Sequence, residues 1–278
     1  MNQLKGRVVS LKASYLIVDI DFNQIKKTIE NDLFNGNYRL LCTRRSRLAY
    51  DGQYVNVGDK VLVDSIDWKA SRGVVIAVEK RINLLARPPV ANVTEIVVLV
   101  SVEEPSLDFD QTSRFLLTAE KTNVNIILAL TKIDLISLDK LRQYSKRLSD
   151  LGYIPIPISV ESGEGVDLLL ERLKASQLVV LCGPSGVGKT SLINYLLPSY
   201  SLSVKSVSKK LRRGRHTTRN VELFSLQKGV LIADTPGFNR PDLEIMPSEL
   251  ALLFPEIRDN KSNNKSCKFR DCLHRDEP

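Results

Sequence analysis

Gly183-Pro184-Ser185-Gly186-Val187-Gly188-Lys189-Thr190 fits the pattern G-x-x-x-x-G-K-[ST] at every fixed position. The residues before it, Gln177 to Cys182, are apolar and β-prone, and those after it, Ser191 to Leu197, carry apolar side chains at helical spacing. The motif therefore lies between an expected strand and an expected helix, which is where a phosphate-binding loop has to be. Three glycines let the backbone curl so that successive N–H groups face phosphate oxygens, and the N-terminus of the next helix adds a positive dipole. Lys189 would reach the β- and γ-phosphates, the Thr190 hydroxyl would hold Mg²⁺, and Ser191 is the next expected contact.

Two further stretches narrow the chemistry. Val230-Leu231-Ile232-Ala233-Asp234-Thr235-Pro236-Gly237 reads as an apolar strand ending in an acidic turn. Asp234 would hold Mg²⁺ through water, Gly237 would offer its N–H to the γ-phosphate, and D-T-P-G is the form GTPases use. Ile126 to Leu130, followed by Thr131-Lys132-Ile133-Asp134, resembles the guanine-reading N-K-x-D motif. A carboxylate at Asp134 accepts from guanine's N1–H and amino group, and adenine offers no matching pair of donors. Lys132 would cover base and ribose. Thr131 replaces the usual Asn, which implies a weaker contact on the far edge of the base with specificity kept.

The order of these motifs is unusual. In ordinary GTPases the phosphate loop comes first and the guanine motif last, whereas here Thr131 precedes Gly183. A circularly permuted α/β P-loop GTPase domain is expected. Its loops still emerge at the carboxyl ends of strands in one parallel sheet, and only the connections differ.

At 278 residues, 43% hydrophobic and with a formal net charge of +8, the chain has room for two or three domains, and the charge reads either as a face for a polyanionic partner or as a solvated basic surface. No apolar run reaches membrane-spanning length, and the first residues do not read as a signal peptide. The unevenly spaced cysteines do not form a disulfide framework, so a reducing interior is expected. Cys42 and Cys182 read as small core residues within strands.

Before Arg87 the pattern is all strand: Leu4 to Leu11, Tyr15 to Asp21, Tyr38 to Arg45, Asp59 to Asp67 and Gly73 to Arg81, with no convincing helix. This predicts an N-terminal all-β barrel of the OB-fold type, a class that often binds nucleic acid. Arg44, Arg45 and Arg47 lie close in sequence to Tyr38, Tyr50, Tyr54 and Trp68. These aromatics either stack on bases or fill the barrel. The segment from Phe22 to Asn37 reads as a long polar loop. Arg87-Pro88-Pro89 marks an expected hinge. Beyond it Glu95 to Ser101 reads as a buried strand, and helices are expected over 114–122, 138–151 and 165–175, the last with Leu168, Leu169 and Leu173 as its apolar members. Ser159 and Val160 would offer backbone groups to the guanine. The expected division is 1–87 barrel, 88–240 permuted GTPase domain, and 241–278 the start of a C-terminal segment.

The barrel, Arg87-Pro88 followed by Val90-Ala91-Asn92-Val93, the permuted motifs and Gly214-Arg215-His216-Thr217-Thr218 together resemble the ribosome small subunit-dependent GTPase A (RsgA) family over nearly the whole chain. The resemblance implies hydrolysis of GTP to GDP and phosphate, stimulated by the small (30S) ribosomal subunit and its rRNA in late subunit maturation. It also implies Mg²⁺ as cofactor, one structural Zn²⁺ in a C-terminal domain, a cytoplasmic or equivalent organelle interior, no membrane, and a monomer.

Residues 205–219 are the switch I candidate, with seven Lys or Arg and no acidic residue. Such a run repels itself until a polyanion neutralises it. By resemblance, Thr217 or Thr218 completes the Mg²⁺ shell, with Thr218 preferred. Phe238 stands where many GTPases carry a water-orienting Gln, and it cannot hold a water by hydrogen bonding. By resemblance His216 takes that catalytic role; the other reading is that it only contacts phosphate or RNA. Cys267, Cys272 and His274 form C-x₄-C-x-H, a zinc-ligand spacing one ligand short of a tetrahedron. The family pattern continues E-P-x-C, which sets the expected fourth ligand beyond Pro278, so either the zinc segment is truncated or zinc is lost. A second functional reading is a nucleotide-gated RNA-binding module in which hydrolysis is incidental, and Phe238 is the feature that favours it.

Overall fold

The computed structural model describes residues 3–20, 38–50, 52–198, 221–226, 229–234, 241 and 245–262. In chain order its strands are β1 (Leu4–Leu11), β2 (Leu16–Ile20), β3 (Tyr38–Arg44), β4 (Lys60–Asp67), β5 (Arg72–Val78), β6 (Leu84–Ala86), β7 (Pro89–Ala91), β8 (Glu95–Ser101), β9 (Asn125–Thr131), β10 (Ile156–Pro157), β11 (Leu178–Cys182), β12 (Glu222–Ser225) and β13 (Leu231–Asp234). The helices are α1 (Ser46–Tyr50), α2 (Phe109–Glu120), α3 (Leu138–Asp150), α4 (Val166–Leu173), α5 (Lys189–Leu196), α6 (Pro247–Leu250) and α7 (Pro255–Ser262).

By contacts the chain divides into two units, and the first takes in Met1–Thr94, Gln177–Val180 and Lys209–Gly237. Five strands close into a barrel in it: β1 pairs β2, β2 pairs β3, β3 runs parallel to β5, β5 pairs β4, and β4 returns to β1. Along β4 burial alternates, with Val61 and Val63 facing in and Lys60 and Leu62 only half covered, which is the period-two pattern of a barrel wall. Val8, Leu16, Val18, Leu40, Val63 and Val75 are wholly buried in its core. One expectation is corrected here: α1 lies between β3 and β4, anchored by buried Leu48. At five residues it is too short to show helical periodicity.

The Arg87-Pro88-Pro89 stretch also differs from expectation. It turns an antiparallel ribbon in which Ala86 pairs with Pro89 and Leu84 with Ala91. Proline is tolerated because Pro89 is the first residue of its strand, a place where a missing N–H costs little. Side chains then fix the ribbon. Asn83 Nδ2 donates to Val93 O at 2.8 Å and its Oδ1 accepts from Val93 N, while Asn92 Nδ2 donates to Gly58 O at 3.1 Å and its Oδ1 accepts from Ile82 N. Gly58 is required there, since at φ +89 a Cβ would sit 2.1 Å from the Ala91 carbonyl oxygen.

In the same unit β11 runs parallel to β13 with Val179 opposite Ile232, β12 runs antiparallel to β13, and β12 meets the barrel where Glu222 pairs with Ser10 of β1. Strand β12 is not among the expected strands. Its signal is the run Val221 to Leu226 before Gly229, which has the form of one arm of a hairpin.

The second unit takes in Glu95–Ser176, Leu181–Ser208 and Phe238–Pro278. Its strands β8, β9 and β10 are parallel, with Val98 opposite Leu128 and Ile156 opposite Ala129. Residues Ile96 to Val100 are buried without interruption, as befits a strand covered on both faces. Helix α2 begins five residues before its expected start, because the Asp108 carboxylate accepts from Gln111 N at 3.0 Å and caps it. Such a cap contributes about 1 kcal/mol. In α4 the core side chains are Val166, Leu169 and Leu173, while Leu168, expected among them, is 55% exposed and turns away from the core.

Candidate nucleotide site

Every residue of β11 is buried, and the chain leaves it directly into the glycine loop. Gly183, Gly186 and Gly188 all have positive φ, at +138, +88 and +92. Two different needs are met. A Cβ on Gly183 would lie 2.1 Å from the Leu99 carbonyl oxygen, so the loop can start there only without a side chain. Gly188 has nothing within 4 Å of its missing Cβ, which leaves an open approach to the backbone N–H groups. Helix α5 then begins at Lys189, with Gly188 at its N-cap and no side chain satisfying the first turn. Uncapped donors at a helix N-terminus favour an anion, so the residues present fit a phosphate chain. The Lys189 ammonium turns back to Gly183 O at 2.7 Å and Pro184 O at 2.6 Å. Thr190 and Ser191 follow on the first turn, both half-buried.

The residues expected to read the base leave the end of β9. Thr131 is 1% exposed and pairs with Ser101 of β8. Lys132 takes a left-handed φ of 61, which swings the chain out of the strand into a short 3₁₀ turn over Ile133–Leu135. Buried Ile133 anchors the turn and leaves Asp134 exposed, with no hydrogen bond or ion pair to the described residues. A carboxylate unpartnered at this position can accept the two donors of guanine.

Lys132 donates through Nζ to the Glu104 carbonyl, which belongs to the 102–108 loop between β8 and α2. No expected site residue lies in that loop. It is held by Ser101 Oγ donating to Pro105 O at 2.6 Å and by the Glu103–Lys140 pair at 3.1 Å, and Pro105 lies 3.4 Å from a Cβ built on Gly186.

Ser159 and Val160 follow β10. Ile158 N donates to Leu130 O at 2.7 Å and Ile133 N to Ile158 O at 3.5 Å, which joins this segment to the base-reading turn. The Ser159 N–H is already given to Glu164 O at 2.9 Å, and its hydroxyl accepts from Ser162 N. Of the two backbone N–H groups expected to face the guanine, that of Val160 has no hydrogen bond to the described residues.

Asp234 ends β13, one residue past the Val180–Ala233 pair. Cys182 at the end of β11 is wholly buried, and that burial pushes its thiol up to about 12 with Lys189 opposing weakly. Gly237, Phe238, His216, Thr217 and Thr218 lie outside the described residues, as do Phe22 to Asn37 and Cys267, Cys272 and His274. Among the described residues no group of three or more His, Cys, Asp or Glu is placed to hold a metal, and no helix is long and apolar enough to cross a membrane.

A glycine cradle ahead of an uncapped helix, reached in the chain after the base-reading turn and not before it, defines a circularly permuted P-loop GTPase with an N-terminal β-barrel. Comparison with known proteins bears this out. The RsgA GTPase family matches residues 78–244. The small ribosomal subunit biogenesis GTPase RsgA of Prochlorococcus marinus (strain NATL1A) is 56% identical over 277 residues, covering 100% of this chain and 88% of that protein. Its namesake from Synechococcus sp. (strain CC9605) is 52% identical over 273 residues, covering 98% and 86%. Among solved structures, YjeQ from Thermotoga maritima is similar with a TM-score of 0.79 at 30% identity, covering 100% of this chain and 88% of that one. YloQ, a circularly permuted GTPase, gives 0.75 at 26% identity, covering 100% and 85%. The chain belongs to the RsgA GTPase family and is a GTP hydrolase.

Proposed function

We propose that this GTPase acts in late maturation of the small ribosomal subunit, which stimulates its turnover. The observation that carries the proposal is 56% identity over 277 residues to a protein named as a small ribosomal subunit biogenesis GTPase. The barrel surface supports it. Arg44, Arg45 and Arg47 are exposed, Tyr50 is 91% exposed and Tyr54 77%, so these two tyrosines do not fill the barrel, whereas Trp68 packs against its core. Exposed guanidinium and phenol groups on an OB-type barrel suit phosphates and bases of RNA.

In this reading Gly183 to Ser191 cradle the phosphates, Lys132 covers the base, and Asp134 with the Val160 N–H reads guanine. Thr190, Asp234 and Thr218 would hold Mg²⁺, which supplies charge neutralisation on the β- and γ-phosphate oxygens when bound. Gly237 offers its N–H to the γ-phosphate, and His216 orients the attacking water. Cys267, Cys272 and His274, two thiolates and an imidazole, suit three ligands of a structural Zn²⁺. The division 1–87, 88–240 and 241–278 assigns these parts to barrel, GTPase domain and zinc segment of a cytoplasmic monomer.

GTP hydrolysis measured with and without purified small ribosomal subunits at low salt tests the proposal. Stimulation of severalfold or more is expected, weakening steeply as salt is added because Lys and Arg contacts to phosphate release counterions. An unchanged rate would leave the incidental-hydrolysis reading, which Phe238 favours, in its place.

A further inference from the structure

Thr131 stands at the position where the guanine motif usually has Asn, and its surroundings point away from the base. The residue closes β9, a strand paired along its length with β8 and at its end with β10, and it is 1% exposed. Its Oγ1 lies 2.8 Å from the Val187 carbonyl oxygen, in the middle of the phosphate loop. A second carbonyl, Val100 O, is 3.4 Å away, too long to compete. A hydroxyl has one hydrogen to give, and here it goes to Val187.

Val187 is a telling place for that hydrogen. It sits between Gly186 and Gly188, both at positive φ, and these glycines give the loop its greatest backbone freedom. The Val187 side chain is 1% exposed, so packing holds one side of the residue and Thr131 holds its carbonyl. Thr131 itself is β-branched, so few side-chain rotamers are open to it and the anchor is stiff. The next residue, Lys132, turns left-handed and carries the chain toward Asp134. Base-reading groups thus leave the strand while the Thr131 hydroxyl stays behind with the loop.

We infer that Thr131 is a positioning residue that ties the base-reading turn to the phosphate loop and does not read the base. With its hydrogen committed it has no donor for the N7 of guanine, so base recognition falls to Asp134 and the Val160 N–H. The tether pre-orders Val187 and its neighbouring N–H groups, so a bound diphosphate loses less freedom in ordering the loop. The inference rests on the proposed guanine-nucleotide site.

The test is equilibrium binding of GDP and of 7-deaza-GDP, which has a carbon in place of N7, to the full chain and to its Thr131→Val and Thr131→Ser variants. Melting of the nucleotide-free proteins is measured in parallel. Thr131→Val is expected to weaken both nucleotides by about tenfold, the order of effect of leaving a buried carbonyl unpaired. Thr131→Ser keeps the hydroxyl and should bind within about twofold to threefold of the wild type, given the smaller loss of one methyl group. The ratio of GDP to 7-deaza-GDP affinity should be the same in all three proteins. A ratio that shifts toward unity in Thr131→Val would mean that the hydroxyl reads N7 and would overturn the inference. So would unchanged GDP affinity with a lowered melting temperature, the mark of a purely structural hydroxyl. Failure of the underlying site looks different: the wild type would then bind neither nucleotide, and the tether would fall with it.

Discussion

The Lys189 ammonium donates to the Gly183 carbonyl at 2.7 Å, so the cation of the phosphate loop is held by the loop that carries it. The curl of the loop comes from glycine torsions and from the contact of Gly183 with Leu99, and neither involves the lysine. Replacing Lys189 by Ala should therefore remove phosphate contacts while leaving the fold within about 1 kcal/mol of wild type. Turnover is expected to fall by about a hundredfold or more. Single-turnover GTP hydrolysis beside a denaturation curve separates the two effects, and unchanged turnover would remove the loop from the mechanism.

Asp134 is exposed and without a partner among the described residues, so its acceptor pair is available to a base. Asp134→Asn turns one acceptor into a donor, which suits xanthine, where an oxygen replaces the guanine amino group. GTP affinity should fall by about a hundredfold or more while XTP affinity rises. Competition binding with both nucleotides measures the swap, and retained GTP preference would reject the assignment of Thr131 to Asp134.

His216→Ala should lower hydrolysis far more than GTP affinity, as expected of a group acting only on the attacking water. Parallel measurement of Kd and kcat decides it. Equal losses in both would make the histidine a binding group.

Within the barrel unit, wholly buried Asp59 is clasped by Arg81 through Nε at 2.7 Å and Nη2 at 2.8 Å. Arg81→Met leaves a buried carboxylate without its cation and should cost about 3–5 kcal/mol of stability. Adding Asp59→Leu should recover only part of that loss, because Asn56 N, 2.7 Å from Asp59 Oδ2, would lose its acceptor. Urea unfolding of the two variants checks the order.

Burial pushes the thiols of Cys42 and Cys182 up to about 12. A raised thiol stays neutral until pH passes that value, so neither should form the reactive thiolate between pH 7 and 9. Iodoacetamide labelling read by peptide mass is expected to spare both residues in the native protein across that range and to modify both in urea. Native labelling of either that rises with pH would contradict the burial.

How much of this was legible in advance depended on the range of the physics involved. The phosphate loop, the T-K-I-D turn and their permuted order are local patterns whose residue types are fixed by ligand chemistry, and five barrel strands follow from period-two alternation, so all could be read from the chain alone. Caps and short elements were harder. Asp108 starts α2 by a single hydrogen bond, and α1 and β12 are too short for periodicity to register.

By itself the sequence determined that a phosphate-loop pattern follows a strand, that a guanine-type motif ends in a carboxylate, and that these motifs run in the order of a permuted GTPase. Tertiary structure decided which atoms are still available. The Thr131 hydroxyl is spent on Val187 O and the Ser159 N–H on Glu164 O, while Asp134 stays open. Spacing along a chain specifies donors and acceptors, but a hydrogen bond is made once, and partners 56 residues apart are chosen by the packing of β9 against the loop.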